Sequence, residues 1–263
     1  MLKSGLVSIS FRNFDAGKIL DMCAKAGVDC IEWGGDKHVV HGDTALASKV
    51  AKMSSDAGIK IASYGSYYAA ATSEMSQDNP LSFTAVLDSA LALGTDTIRV
   101  WAGSKQKKPE FSEDRRREIV DDLLRIGEMA AAHNLKLGLE FHGGTLTESN
   151  ESAIRLKDEL AAAPNIFFYW QPAVFYDDSQ CLEGIRALAP RISNIHTFQW
   201  ARDAEGKTFR QSLGQGRERW TGFLREIAAD GNLHAAMLEF IPDDSEENFY
   251  TEAAVLKEII ATV

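Results

Sequence analysis

Leu135-Lys136-Leu137-Gly138-Leu139-Glu140-Phe141-His142 runs straight into Gly143-Gly144-Thr145. Its length and its alternation of apolar with small or polar residues mark a β-strand. Leu137, Leu139 and Phe141 form one row and suit a layer of helices; Gly138, Glu140 and His142 form the other. The second row delivers a carboxylate and an imidazole to the strand's carboxyl end, which is how a barrel presents acid-base or metal chemistry.

The same strand-then-helix signal repeats along the chain. Strands are expected near 4–10, 28–33, 59–64, 96–101, 135–142, 166–171, 192–198 and 235–241. Helices are expected near 14–26, 43–57, 78–93, 112–132, 149–162, 178–188, 218–229 and 245–261. Glycines follow several predicted helix ends, at Gly27, Gly58, Gly94 and Gly231, where a left-handed residue closes a helix. Eight such units in 263 residues predict an α/β fold, a (β/α)8 TIM barrel forming a single domain over residues 1–263. A doubly wound open sheet would place a glycine-rich phosphate turn after its first strand, and Ser8-Ile9-Ser10-Phe11-Arg12-Asn13 contains no glycine.

Composition narrows the function. A net charge of -10 disfavours a phosphate-backbone binder, which needs clustered Lys and Arg. The main basic run, Arg115-Arg116-Arg117, lies among Glu113, Asp114 and Glu118 and reads as a solvated helix face. Cys23, Cys30 and Cys181 have neither zinc-like spacing nor an even count, so they read as core thiols in a reducing compartment. No stretch reaches the ~18 apolar residues of a membrane span, and the first residues enter a strand rather than a signal peptide. A cytoplasmic protein without nucleic-acid or membrane partners is expected.

Alternation then phases the other strands. Leu238 and Phe240 face the helices, leaving Met237 and Glu239 inside; Ile195 faces out and His196 in; Tyr169 and Gln171 face in. Glu140, Gln171, His196 and Glu239 thus end four consecutive strands. Two carboxylates, an imidazole and an amide oxygen make a mixed, fairly hard ligand set suited to a divalent cation. The alternative is that each polar group only satisfies a buried hydrogen-bond network.

At this point the chain resembles the xylose isomerase-like TIM-barrel superfamily of sugar isomerases and epimerases. The resemblance covers nearly the whole chain. It rests on the runs Ile31–His38, Ala62–Tyr68, Ile98–Gly103, Leu139–Thr147, Ile195–Trp200 and Leu238–Phe240, in that order. It implies a metal (manganese, magnesium, cobalt or zinc) held by Glu, Asp, His and Glu from strands five to eight, with the two glutamates moving the proton. Glu140, His196 and Glu239 match that pattern. Gln171 stands where the family has its aspartate, so one negative charge is missing and weaker metal binding, or a different metal preference, follows.

The resemblance further implies a small sugar or sugar-derivative substrate, and it is compatible with a homo-oligomer. His38 and His41 lie in the loop after the second strand, where either could meet a hydroxyl or phosphate, or simply face solvent. Trp101 and Tyr64 end inward rows, as substrate walls or as core packing. His142 joins them as a substrate-binding candidate. Glu32 and Arg99 project inward below the barrel mouth and read as an ion pair, because an unpaired charge there would be costly. Related members supply an arginine from the loop after strand seven, which makes Arg210 the candidate.

The leading expectation is an aldose-ketose isomerase or ketose epimerase, with Glu140 and Glu239 exchanging a carbon-bound proton through an enediolate. A dehydratase of the same superfamily shares this chemistry but expels a hydroxyl. A DNA-repair endonuclease would need more histidines on the third and fourth strands, which here end in Tyr64 and Trp101. A non-catalytic sugar-binding barrel is the remaining alternative, because of Gln171.

Overall fold

Among the described residues, seven of the eight α-helices open on a side-chain cap: Asp15, Asp43, Ser82, Ser112, Ser149, Asp177 and Ser245 each accept a backbone N–H from the first helical turn. Each cap is worth about 1 kcal/mol and marks where a loop yields to α1 (Ala16–Ala26), α2 (Thr44–Asp56), α3 (Phe83–Leu93), α4 (Glu113–Ala131), α5 (Asn150–Glu159), α6 (Asp178–Leu188) and α8 (Glu246–Ile260). Only α7 (Arg217–Ala228), entered from Gly216, lacks one. The computed structural model describes residues 1–104 and 111–263.

Between the helices run β1 (Leu2–Val7), β2 (Cys30–Gly34), β3 (Lys60–Ala69), β4 (Thr97–Trp101), β5 (Lys136–Glu140), β6 (Ile166–Trp170) and β7 (Ile192–Thr197). An antiparallel hairpin, β8 (Gln199–Arg202) and β9 (Thr208–Gln211), follows before β10 (His234–Leu238). Strands β1 to β7 and β10 pair in parallel and close into one barrel. The expected TIM barrel is the fold. No helix among the described residues is long and apolar enough to cross a membrane, and the three cysteines are buried and free.

Two apolar layers hold the barrel. The larger lies between strands and helices and contains Leu137, Leu139, Phe141, Ile195 and Leu238. A smaller cluster of Val7, Cys30, Tyr169, Ala235 and Met237 fills the interior. Both confirm the phase read for β5, β6, β7 and β10. Gly138 is needed beside Tyr169, because a Cβ there would come within 2.8 Å of the tyrosine ring.

In β3 the phase breaks. Ile31 pairs with Ile61 but Glu32 pairs with Ser63, so Ala62 is an extra residue and every side chain beyond it changes face. Ser63 therefore turns inward to Glu32. Tyr64 turns outward into the helix layer, against the expectation that it ends an inward row. Phe240 departs too. Its φ of 53° takes it off the strand path, and its ring reaches the barrel mouth rather than the helices.

Candidate metal centre

Four strand ends bring the key side chains together. Oxygen or nitrogen atoms from Glu140, His196 and Glu239 lie within 4.8 Å of one another, and all three residues are buried. His196 Nδ1 is the common neighbour: Glu239 Oε2 lies 3.2 Å away, Glu140 Oε1 3.5 Å and Gln171 Oε1 3.2 Å. Gln171 is held by its amide nitrogen, which donates to the Phe141 carbonyl. Its oxygen is thereby aimed at the same point as the two carboxylates.

Below this group lies an ionic platform. Arg99, 1% exposed, donates Nε to Glu32 Oε1 at 2.8 Å and Nη1 to Glu140 Oε2. Ser63 donates to the other Glu32 oxygen at 2.8 Å. The close approach requires Gly65, because a Cβ there would lie 2.7 Å from Arg99 Nη2 and 2.8 Å from Glu32 Oε1. Trp101 adds a second donor to Glu140 Oε2, at 2.6 Å. Burial alone would raise the Glu140 carboxyl, but the Arg99 charge and then His196 outweigh it and hold it at about 2. Glu32 is likewise held below the usual carboxylate range, with Arg99 overcoming burial.

Three carboxylates thus share one arginine in a closed space. The remaining negative charge falls on His196, whose ring is raised well above its ordinary value because Glu239 and Glu32 outweigh its burial. Glu239 Oε2 and His196 Nε2 have no hydrogen-bond partner among the described residues; the 3.2 Å and 3.5 Å approaches to His196 Nδ1 and Glu32 Oε1 are not aligned for one. A buried, uncompensated oxygen beside excess negative charge is costly. A divalent cation among Glu140, Gln171, His196 and Glu239 would remove that cost, and the donor set suits one. Glu32 Oε1, 3.5 Å from Nε2, would then stand behind the His196 ring, as a carboxylate does behind a metal-bound imidazole.

The other expected residues divide into two groups. Trp101 and His142 belong to the site, with ring centroids 4.9 Å apart; His142 sits just past β5, Nδ1 against the Gly143 carbonyl at 2.9 Å. Arg210, on β9, lines a cavity together with His142 and Gln171, but its Nη1 is engaged by Asp244 at 2.6 Å and the Ile241 carbonyl at 3.0 Å. His38 and Tyr64 are not brought to the carboxylates. His38 is 6% exposed, tied through Nδ1 to Ser8 at 3.0 Å and through Nε2 to the Phe14 carbonyl at 3.2 Å. Tyr64 donates to the Val39 carbonyl at 2.9 Å, with His41 Nδ1 2.7 Å from its hydroxyl. Both bind the loop after β2 to the scaffold.

Tyr67 was not foreseen. Its φ of 56° puts a bulky residue in the left-handed region, a cost of about 1–3 kcal/mol that active sites often carry. That backbone swings the ring over Arg99, 4.7 Å from the guanidinium carbon, and edge-on to Trp101 at 5.4 Å. Burial pushes its hydroxyl up to about 12. The only trace in the sequence is the aromatic density of Tyr64-Gly65-Ser66-Tyr67-Tyr68.

Comparison with known proteins agrees with this architecture. The chain is 38% identical over 66 residues to a 3-dehydroshikimate dehydratase of Bacillus anthracis, covering 25% of this chain and 23% of that protein. It is 29% identical over 118 residues to an inosose dehydratase of Bacillus velezensis, covering 42% and 39%. The matched stretches thus span well under half the length of these relatives. In three dimensions it is similar to the probable 3-DHS dehydratase of Bacillus anthracis, with a TM-score of 0.78 and 21% identity over 98% of this chain and 99% of that one. The family model described as xylose isomerase-like TIM barrel matches residues 20–259, and the chain belongs to that family.

Proposed function

We propose that this protein is a divalent-metal-dependent dehydratase that removes water from a small polyhydroxy carbonyl compound, with Glu239 as its general base. The observation that carries the reading is the asymmetry of the two carboxylates. Glu140 Oε2 already accepts hydrogen bonds from Arg99 and Trp101, so a proton on that oxygen would point at two donors. Glu239 Oε2 is buried and accepts no such hydrogen bonds from the described residues, so a cation held by one Glu239 oxygen would leave the other to take a proton. Epimerisation by two bases needs a second carboxyl to return a proton to the opposite face of the carbon. Glu140 is poorly arranged for that, whereas elimination asks for one mobile proton.

The bound cation would polarise the substrate carbonyl and stabilise the negative charge that proton loss places on its oxygen. Glu239 takes the proton from the carbon next to the carbonyl, and the C–H electron pair passes into that carbonyl. When the carbonyl re-forms, the pair makes the new C=C bond and the C–O bond one carbon further on breaks. The departing hydroxyl takes the proton from Glu239 and leaves as water. Arg99 and Trp101 keep Glu140 ionised and fixed throughout, and Gln171 offers a neutral oxygen in place of a fourth charge. Both curated relatives that the chain matches are named dehydratases, which supports elimination over the isomerase or epimerase outcome.

The test is NMR of hydroxy ketones and ketoses with the protein and manganese or magnesium in deuterated water. Elimination gives an unsaturated carbonyl product that wild type makes and Glu239→Gln does not. A saturated product, deuterated and inverted at one carbon, would instead establish two-base epimerisation and overturn the proposed role of Glu140.

A further inference from the structure

We infer that the substrate carries a flat apolar group, aromatic or alicyclic, beside its hydroxy-carbonyl part. This inference rests on the enzymatic reading above and adds the substrate class. Between Gln171 and the β8–β9 hairpin lies a cavity of about 530 Å³, a size that holds a small organic molecule. His142 and Gln171 line it as well, so it meets the candidate metal centre at Gln171. Val174, Phe175, Phe198, Phe209 and Phe240 form the apolar part of its wall.

That wall is built into the fold. The Trp200 indole and the Arg202 guanidinium both donate to the Val174 carbonyl, at 3.2 and 3.1 Å, tying the hairpin to the loop after β6. Trp220 donates to the Phe198 carbonyl at 3.2 Å. The Phe198 and Phe240 rings meet edge to face at 5.1 Å. Phe240 directly follows Glu239, and its left-handed backbone turns the ring into this cavity.

A single aromatic ring can serve the carbon face of a sugar. Thr147, Glu148, Gln199, Thr208 and Arg210 also line the cavity, but Thr147 Oγ1 is spent on the Glu140 carbonyl, Glu148 Oε2 on the Gly144 N–H and Arg210 Nη1 on Asp244. A polyol laid across the five large apolar side chains would leave hydroxyls unpaired there, and each unsatisfied polar group is penalised. Phe175, Phe209 and Phe240 are 57%, 46% and 40% exposed, so a flat apolar group entering from the mouth would cover rings that water now contacts.

The test uses the whole protein, with and without manganese, and two probes: 1,3-dihydroxyacetone and 2-hydroxyacetophenone. They share the hydroxy-ketone part, and the second adds a phenyl group. Calorimetry gives both affinities, and electron paramagnetic resonance gives manganese affinity separately. Burying a ring is worth about 1.5–3 kcal/mol, so the aryl probe should bind about ten- to a hundredfold tighter. Phe175→Ser and Phe209→Ser should each cut that preference several-fold and leave affinities for manganese and dihydroxyacetone unchanged. Equal affinity for the two probes, or a preference untouched by both variants, would overturn the inference. Failure of manganese to bind would refute the metal reading alone, because the aryl preference is still read without metal. A dimer that dissolves in Phe175→Ser, together with no aryl preference, would assign the wall to a second copy of the chain and overturn the inference equally.

Discussion

Replacing Arg99 by methionine removes the one arginine from a space that also holds Glu32, Glu140 and Glu239. The guanidinium nitrogen lies 2.8 Å from Glu32 Oε1, where two unit charges attract by about 6 kcal/mol at an effective dielectric constant of ~20. Desolvation offsets much of this in the intact pair, but removing one partner leaves buried charge uncompensated, at a typical cost of about 3–5 kcal/mol. Stability measured by urea unfolding with chelator present should fall by that amount, and Tm by about 6–20 °C. Lys52→Met is the control. It breaks a shorter pair, 2.6 Å to Asp56, but both side chains are mostly exposed, so the loss should stay under about 1 kcal/mol. Glu32→Gln in the Arg99→Met background should recover part of the stability, because it removes one of the stranded charges. A loss under about 1 kcal/mol for Arg99→Met would refute the reasoning and mean that the carboxylates do not depend on Arg99 for compensation.

Further outcomes follow from the same geometry. Gln171→Asp restores a charge opposite His196 Nδ1 and should tighten manganese binding about tenfold, equivalent to about 1.4 kcal/mol; unchanged affinity would mean that the oxygen of residue 171 does not meet the ion. Glu239→Gln should lower turnover about 10²- to 10⁴-fold with little change in substrate affinity, whereas Glu140→Gln should weaken manganese binding in a titration. Manganese at about 100 times its dissociation constant should stabilise the fold by about 2.7 kcal/mol, read as a higher Tm that chelator reverses. Burial would raise the Asp29 carboxyl, but Ser4 and Lys3 outweigh it and hold it below its ordinary value. Its contribution is therefore complete above the unfolded carboxyl value of about 3.9 and is lost as pH falls through the lower folded value. Urea unfolding of Asp29→Asn should show a deficit at pH 7 that shrinks below about pH 4; a constant deficit would contradict that linkage.

Strand periodicity made most of the fold and the four candidate ligands legible. Glu140, Gln171, His196 and Glu239 sit at the ends of strands whose apolar rows are regular, so a two-residue period puts all four on inward rows, where their polar atoms meet around His196. Tyr64 failed because the extra residue at Ala62 reverses the phase of β3, and a bulge carries no strong signature in one sequence. Phe240 and Tyr67 depend on left-handed backbone, which bulky residues rarely adopt and pattern reasoning does not anticipate. His38 read as a loop histidine, yet contacts with Ser8 and Phe14, 30 and 24 residues away, bury it. The hairpin that walls the cavity read as a loop, because β8 and β9 are four residues each and Thr208-Phe209-Arg210-Gln211 has only one apolar member.

The most direct test of the central claim is anomalous diffraction from crystals of the protein equilibrated with manganese. The expected result is one ion with Glu140, Gln171 Oε1, His196 Nδ1 and Glu239 at about 2.0–2.6 Å, and Glu32 behind the imidazole. Manganese held elsewhere at saturation, with His196 still protonated between its carboxylates, would contradict it.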